Sequence, residues 1–429
     1  MSRVREFLSS HQRWLIVALL FLVALVNNLD RQTLSVLAPT LQEKLNFGPI
    51  QYSYVVSSFL AAYTIGYLFS GRVLDRVGVK VGLALALGFW SLAGLLHAGA
   101  TGWIMLASFR FLLGLGESFN SPSGVKAISE WIPARERGLS MAVFSNGNIA
   151  GAIIAPPLVS ILALHLGWRW AFVVTGLMGF LLLVVWWRWY DTPEKHPRLS
   201  AAERSYITAS VVAVAPPGPR LSMWALLQNP LCFGFFVARF LTDSWSYFLS
   251  FWLPEYLTHS RGFTLVTIGL VGWIPYLAAD LGGPTGGAMS DWLVRRGWEP
   301  ARARRRLMLS AACLMPLALV AVRTEYVWVA IALIGLLFAA QTCWMANQLT
   351  LISESVSREN VATLLSLSAL GGGLGGIVAN VLTGRAVASV GYVPVFTVFG
   401  WLHLTAFGVL VLATRWAKHR EKPGPAGAS

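Results

Sequence analysis

Charged residues are scarce in this sequence. They make up 12% of the 429 residues, whereas soluble globular domains carry about 25%. Because so few charges cannot cover a water-facing surface of this size, soluble enzymes and soluble nucleic-acid-binding proteins are excluded. Hydrophobic residues account for 56% of the chain, and the mean hydropathy is +0.62. These values indicate a protein that crosses a lipid bilayer several times.

The sequence also has few cysteines and no motif typical of a catalytic site. Cys232, Cys313 and Cys343 all lie in apolar runs, so they provide neither a disulfide framework nor a metal-ligand spacing. H-E-x-x-H, G-x-S-x-G and Walker A motifs are absent. The glycine run 371–376 satisfies G-x-G-x-x-G, but no strand precedes it, and we interpret it as a close helix contact. We therefore expect no enzymatic activity, no cofactor and no metal.

Long apolar segments are abundant by contrast. A segment of about 20 apolar residues can cross a bilayer as a helix. Twelve such segments lie roughly at 14–38, 52–71, 80–98, 103–125, 139–162, 168–189, 231–257, 266–289, 306–322, 326–350, 361–384 and 392–416. The first has no small-residue cleavage site and is interpreted as an uncleaved span. The sequence predicts an all-α membrane protein with twelve transmembrane helices.

Basic residues are distributed unevenly between the two sides of these spans. Of the 33 lysines and arginines, three lie inside spans, five follow odd-numbered helices, and the remaining 25 lie on the side of both termini. Basic loops stay in the cytoplasm, so both termini are predicted to be cytoplasmic, with the spans in the cell membrane. The net charge of +14 is thus a topology signal and does not indicate nucleic-acid binding.

A polar, proline-rich stretch at 190–222 separates the sixth span from the seventh. It predicts a cytoplasmic linker, with a short helix around 199–212, between two six-helix halves at 1–189 and 223–429. The halves show weak internal repeats, as duplicated membrane folds do. Gly71-Arg-Val-Leu-Asp75 recurs as Gly287-Ala-Met-Ser-Asp291, and Ile128-Ser-Glu130 recurs as Ile352-Ser-Glu354. Pro39 and Pro254 are each expected to end the first helix of their half.

The loop after the second span carries a family signature. The sequence GRVLDRVGVK at 71–80 resembles the cytoplasmic signature loop of the major facilitator superfamily, G-x-x-x-D-R-x-G-x-[KR], at every specified position. The residues that match are Gly71, Asp75, Arg76, Gly78 and Lys80. The resemblance implies that this loop latches the cytoplasmic side while the carrier is open to the outside.

Other stretches resemble the anion:cation symporter branch of that superfamily. Residues 122–137, 51–54 and 61–64 are similar to hexuronate transporters, and Asn28-Leu-Asp30-Arg31 resembles D-galactonate and related sugar-acid carriers. The resemblance implies import of an organic anion by proton symport, through a central site exposed alternately to each side. The expected partners are a small organic anion, protons and the lipid bilayer, and the protein is expected to be a monomer.

Ionisable residues inside spans are the candidates for that site, because each costs about 2.5–3.5 kcal/mol to insert and so needs a partner or a wet cavity. They are Asp30, Arg31, Arg110, Glu117, Arg239, Asp243 and Asp280. Helix geometry places Asp30, Arg31 and Arg110 at similar depth, with Glu117 near the midplane. Arg31 and Arg110 suit carboxylate binding, because a guanidinium stays charged when desolvated. Asp30 and Glu117 suit proton coupling.

The family resemblance adds further expectations. In the D-galactonate carrier the acids that match Asp30 and Glu117 are protonation sites, and the adjoining arginine contacts the substrate. Additional substrate-binding candidates are Tyr63, Asn28, Asn148, Asp243, Asn347 and Ser368. Asn28 stands where those carriers have tyrosine, and Asp243 is expected either to pair with Arg239 one turn away or to titrate as a third acid.

Three alternative functions stay open at this point. An organic-anion antiporter would use the two arginines but leave the buried acids unexplained. A carrier for another carboxylate, such as an aromatic acid or a tartrate-like acid, would use the same chemistry. A non-transporting membrane sensor would be expected to carry an extra soluble domain, and none is visible in the sequence.

Overall fold

The computed structural model describes residues 11–133, 135–209 and 221–420, and within these ranges the chain is helical, with no strand. The α-helices are α1 (Gln12–Lys44), α2 (Pro49–Leu96), α3 (Trp103–Glu117), α4 (Asn120–Trp131), α5 (Arg137–Leu166), α6 (Trp168–Trp189), α7 (Ala201–Ala209), α8 (Met223–Gln228), α9 (Pro230–Arg261), α10 (Leu265–Val271), α11 (Ile274–Arg295), α12 (Pro300–Leu314), α13 (Ala318–Arg323), α14 (Val327–Ser355), α15 (Arg358–Val390) and α16 (Tyr392–Arg420). The predicted all-α fold class is confirmed.

The twelve predicted spans correspond to these helices, except that two spans are joined into one helix and some others are each divided between two helices. Helix α2 holds the second and third spans and kinks at Gly78, where φ is +80°, a conformation that glycine adopts without a side-chain clash. The fourth span is divided between α3 and α4, and the eighth between α10 and α11. In the part of the chain that the structure describes, nine helical segments are long and apolar enough to cross a membrane, one of them the kinked pair Pro49–Gly99. The fourth and seventh spans are outside this set, and they are the two that carry Arg110 with Glu117 and Arg239 with Asp243.

The prediction that Pro39 and Pro254 end their helices is wrong. Helix α1 continues past Pro39 to Lys44, and α9 continues past Pro254 to Arg261. Proline is tolerated in transmembrane helices because neighbouring groups can satisfy the main-chain oxygens that it frees. Close to Pro254, the carbonyl of Phe251 accepts hydrogen bonds from the Tyr52 hydroxyl at 2.7 Å and from the Ser35 hydroxyl at 3.2 Å.

The described helices form two compact units. The first contains α1 to α7, the part of α9 from Phe251 onward, and α10; the second contains α8, the part of α9 up to Ser250, and α11 to α16. The predicted boundaries at 189 and 223 stay a prediction. The linker helix predicted around 199–212 is α7 (Ala201–Ala209), and positions 210–212 lie outside the described residues.

Small residues bring the helices of the first unit close together. A Cβ at Gly147 or Gly151 of α5 would collide with the main-chain oxygens of Phe21 and Leu25 in α1. A Cβ at Gly114 of α3 would collide in the same way with the backbone of α2. Such close approach is how helices gain packing energy in lipid, where no hydrophobic effect drives them together. It brings α5 against α1 and α3 against α2.

Candidate functional site

The centre of the site in the first unit is an ion pair between α1 and α3. The Arg31 guanidinium donates two hydrogen bonds to Oε2 of Glu117, from Nη2 at 2.9 Å and from Nε at 3.2 Å. The Glu117 side chain is fully buried, whereas 19% of the Arg31 side chain remains exposed. Glu117 is therefore enclosed by the packed helices, whereas part of the Arg31 side chain remains accessible to solvent.

Two aromatic rings of α2 support the guanidinium. The centre of the Arg31 guanidinium lies 5.0 Å from the Phe59 ring and 4.9 Å from the Tyr63 ring. Phe59 and Tyr63 are one helical turn apart and stack on each other, with ring centroids 5.8 Å apart. A cation over an aromatic face gains about 0.5–2 kcal/mol. Tyr63 was expected near the site, whereas Phe59 was missed, although its spacing of four residues from Tyr63 was a usable signal.

Arg110 is the second guanidinium, and only 1% of the residue is exposed. It donates long hydrogen bonds of 3.4 Å to the main-chain oxygens of Arg31 and Asp30, and it lies 5.8 Å from the Phe59 ring. Its Nε has no hydrogen-bond partner among the described residues. Arg110 therefore holds a positive charge against the backbone of α1, behind the ion pair of Arg31 and Glu117.

Asp30 precedes Arg31 on α1 and lies in a different environment. The residue is 3% exposed, and its carboxylate faces α2 and α6, with Oδ1 3.9 Å from the position of a Cβ at Gly94. Thr175 of α6 and the charges of Arg110 and Glu117 act on it electrostatically. The structure thus brings Asp30, Arg31, Arg110 and Glu117 together, with Glu117 bound to Arg31 and the Asp30 carboxylate facing Gly94 and Thr175.

Asn28 and Asn148 lie at the contact between α1 and α5. Both are half-buried; Asn28 packs beside Gly151, and the Asn148 amide donates to the main-chain oxygen of Ser145 at 3.5 Å. Oδ1 of Asn28 is buried and has no partner in the described ranges. An unpaired amide oxygen leaves this residue able to accept a hydrogen bond from a ligand.

The signature loop predicted at 71–80 is helical in the structure: it lies within α2, and only Gly78 departs from helical geometry. Two ion pairs hold this segment, which keeps the name signature loop below. The Lys126 ammonium of α4 lies 2.6 Å from Asp75 and donates to the main-chain oxygen of Leu74 at 3.1 Å. Lys80 lies 2.8 Å from Asp191, just beyond α6. Gly71 and Gly78 have open space around their α-carbons, and Arg76 is exposed. The sequence alone does not identify the partners Lys126 and Asp191, because these contacts join residues 51 and 111 positions apart.

Asp191 is held ionised by its contacts. Partial burial raises the pKa of this carboxyl, but hydrogen bonds from Lys80 and from the backbone N–H of Thr192 outweigh burial, so the pKa lies below its usual value. The indole of Trp131 also donates to the Asp191 main-chain oxygen at 3.0 Å. The end of α6 is thereby bound to α2 just after its kink at Gly78.

In the second unit, Asp243 forms the expected pair with Arg239, at 2.7 Å within α9. One carboxylate oxygen of Asp243 occupies the space that a side chain at Gly372 would need. Cβ atoms at Gly371, Gly375 and Gly376 would likewise collide with α9. The glycine run therefore serves as the close contact that the sequence indicated.

The other predicted residues of the second unit are bound to their own helices. The Asn347 amide donates to the Cys343 main-chain oxygen at 2.9 Å, and the Ser368 hydroxyl donates to that of Leu365 at 2.8 Å. His403 of α16 is fully buried, hydrogen bonds to Gln341 and packs edge-on against Trp344 at 5.3 Å, so it serves helix packing.

Comparison with known proteins identifies the family. The family model described as "Major Facilitator Superfamily" matches residues 20–379. The chain belongs to this superfamily. It is a multi-pass membrane transporter, and the family resemblance drawn from the signature loop is confirmed.

Individual relatives agree with this assignment. The chain is 31% identical over 416 residues to the hexuronate transporter of Escherichia coli K12, covering 96% of this chain and 95% of that one. It is 34% identical over 342 residues to the probable galactarate/D-glucarate transporter of Bacillus subtilis 168, covering 76% and 75%. A bacterial homologue of the human lysosomal transporter Spinster has the same fold, with a TM-score of 0.69 at 18% identity, covering 96% of this chain and 99% of that one.

The acidic residues that the internal repeat places in the second unit also form ion pairs. Arg304 of α12 lies 2.7 Å from Asp291 and 3.5 Å from Glu354, the residues that the internal repeats pair with Asp75 and Glu130. One arginine thus binds the repeated acids of the second unit. In the first unit these acids have separate partners, since Lys126 binds Asp75, and Tyr190 donates to Glu130 at 3.1 Å.

Proposed function

We propose that the protein imports a sugar-acid anion, of the hexuronate or aldonate class, by proton symport. The observation that carries this proposal is the ion pair in which a partly accessible Arg31 is bound by a fully buried Glu117. The relatives are named for hexuronate, galacturonate and galactarate/D-glucarate transport, and all these substrates carry a carboxylate. A guanidinium is the side chain best matched to a carboxylate.

The pair couples the anion to a proton because both compete for the same bond. An ionised Glu117 occupies the Arg31 guanidinium at 2.9 Å, so an incoming carboxylate must displace it. Once Glu117 takes up a proton from the outer water it becomes neutral, and Arg31 can bind the substrate carboxylate. Proton binding and anion binding therefore strengthen each other, and this coupling is reciprocal by linkage.

Release into the cytoplasm reverses these steps. Glu117 gives its proton to cytoplasmic water, its carboxylate pairs with Arg31 again, and the anion is expelled. Asp30 takes up and releases a proton in the same cycle, with Arg110 stabilising its ionised form. The ties of Asp75 to Lys126 and of Lys80 to Asp191 support the signature loop as the cytoplasmic latch in an alternating-access cycle.

Tyr63 is the next residue proposed to contact substrate, because it stacks on Arg31 and carries a hydroxyl. Hydroxyl-rich substrates need such polar groups beside the carboxylate contact. Asn28, Asn148, Asp243, Asn347 and Ser368 are proposed as weaker contributors. Asn28 and Asn347 each keep a buried amide oxygen that no described residue binds.

The test is uptake by purified protein in proteoliposomes. We expect labelled galacturonate or galactonate to accumulate when the outside is more acidic than the inside, and accumulation to collapse when a protonophore is added. Galactose is the matched control, because it lacks the carboxylate and should not be carried. Uptake that is unchanged by the protonophore but requires an internal counter-anion would contradict symport and establish an antiporter instead.

A further inference from the structure

A buried histidine lies beyond Asp30 in the first unit and has no part in the cycle described so far. His97 follows α2 directly and starts a short 3₁₀ turn, His97–Gly99. The residue is completely buried. Its ring stacks on Phe172 of α6, with centroids 5.1 Å apart, and lies 5.8 Å from the Phe109 ring of α3.

The hydrogen bonding of His97 defines its free nitrogen. Nδ1 lies 2.7 Å from the main-chain oxygen of Ala93. Since a carbonyl oxygen can only accept, Nδ1 must carry the hydrogen, and Nε2 then presents a lone pair. Nε2 is buried and has no hydrogen-bond partner among the residues that the structure describes. A buried basic nitrogen without a partner needs an explanation.

Two helices independently place His97 one turn away from Asp30. On α2 the Asp30 carboxylate lies over Gly94, and His97 comes three residues later. On α6 Thr175 acts on Asp30, whereas Phe172, three residues earlier, stacks on His97. Three residues rise about 4.5 Å along a helix axis, and an offset of this size suits a single water molecule between the two side chains.

The charged groups around His97 favour movement of a proton towards Asp30. On α1 the neighbour is the Asp30 carboxylate, and on α3 it is Arg110, whose positive charge acts on His97. On α6 the Arg169 guanidinium donates to the Ala98 main-chain oxygen at 3.0 Å. With these two arginines nearby, an imidazolium is repelled and short-lived, and the carboxylate is the natural acceptor of its proton.

We propose that His97 relays protons between the water at the α2–α3 loop and Asp30. A proton from that water binds the Nε2 lone pair and forms an imidazolium, which then passes the proton through a bridging water to the Asp30 carboxylate. His97 returns to its neutral form, and Asp30 becomes a neutral acid. The loop faces outward in the topology predicted from the basic residues. This inference rests on the proposed proton symport.

The test compares two activities of His97→Gln in the same proteoliposomes. Glutamine can still hydrogen bond to Ala93 but cannot carry a proton. We expect proton-driven uptake to fall at least tenfold relative to the exchange of labelled for unlabelled anion, because exchange needs no net proton transfer. His165→Gln, which replaces an exposed histidine at the end of α5, is the matched control and should keep the wild-type ratio.

An unchanged ratio of proton-driven uptake to exchange in His97→Gln would overturn the relay. If that variant loses both activities, His97→Ala with imidazole added outside decides: recovery of proton-driven uptake supports the relay, and no recovery refutes it. The proposed symport fails separately, when wild-type uptake itself does not respond to a protonophore.

Discussion

At the scale of single residues, the first unit assigns different environments to chemically similar groups. Arg31 is held between Glu117 and two aromatic rings and stays partly accessible, whereas Arg110 is buried against main-chain oxygens of α1. Glu117 is bound to Arg31, whereas the Asp30 carboxylate faces Gly94 and Thr175. We therefore propose Arg31, rather than Arg110, as the residue that contacts the substrate directly.

Arg31→Lys should weaken substrate binding by roughly ten- to a hundredfold. Lysine keeps the charge but loses the planar pair of donors, and a charge-assisted hydrogen bond contributes about 1.5–3 kcal/mol, where about 1.4 kcal/mol is a factor of ten. Calorimetric titration with galacturonate measures the change. Arg137→Lys is the control, since the hydrogen bonds of that arginine among the described residues go to main-chain oxygens of Ser129 and Ile132. Wild-type affinity in Arg31→Lys would remove Arg31 from the binding site.

Glu117→Gln should separate binding from coupling. Glutamine is nearly isosteric and resembles the protonated acid, so substrate should still bind and still exchange across the membrane. Accumulation against a gradient should be lost, because the variant has no proton to release. Normal accumulation in Glu117→Gln but not in Asp30→Asn would place coupling on α1 alone. If both variants accumulate normally, the two carboxylates serve only as partners for arginines.

At the scale of helices, glycines decide how closely α1 can approach α5. The sequence showed that small residues were present in the fifth span, but only the structure shows that Gly147 faces the main-chain oxygen of Phe21. The proline prediction failed at this same scale. The sequence predicts that Pro39 and Pro254 break their helices, whereas both helices continue past them, and near Pro254 hydroxyls of Ser35 and Tyr52 bind the Phe251 carbonyl.

Gly147→Ala should destabilise the protein by about 1–3 kcal/mol, the usual effect of forcing extra atoms into a packed interface. Thermal unfolding in detergent measures this change. Gly138→Ala, on the same helix but with open space around its α-carbon, should be neutral or slightly stabilising. Equal stability of the two variants would show that α1 and α5 are not packed as described.

The segment after α6 should make stability depend on pH. Burial lowers the pKa of His196 from its ordinary 6.5, and the ring packs edge-on against Trp131 at 5.2 Å. The unfolded chain then binds more protons than the folded one as pH falls below about 6.5. The contribution of neutral His196 to the free energy of unfolding is therefore fully present above that pH and is lost as the pH falls below it. Between pH 7.5 and 5.5, wild type should lose more thermal stability than His196→Gln. Equal losses of thermal stability in wild type and His196→Gln would contradict the conclusion that His196 causes the pH dependence.

At the scale of the whole molecule, orientation in the membrane is a prediction from the count of basic residues. Helix α7 of the linker provides an exposed position for testing it, Ala202. In a background without the three native cysteines, Ala202→Cys should resist a membrane-impermeant thiol reagent added to intact cells and react after lysis. Labelling in intact cells would reverse the predicted orientation.

The sequence by itself determined the helical fold, the family and the chemical types at the site. Hydropathy is a property of each segment alone, so the spans could be counted. Ionisable residues such as Asp30 and Glu117 stand out wherever they interrupt apolar runs. The helical repeat also placed Asp30 and Arg31 on different sides of α1 before any contact was known.

Only the tertiary structure decided which group each of these residues meets. Glu117 binds Arg31 across 86 positions of sequence, Lys126 binds Asp75 across 51, and His97 lies one turn from Asp30 through α2 and α6. Such pairings depend on how whole helices rotate and approach one another. That geometry is set by the summed packing of glycines, aromatic rings and main-chain oxygens, and no local pattern in the sequence encodes it.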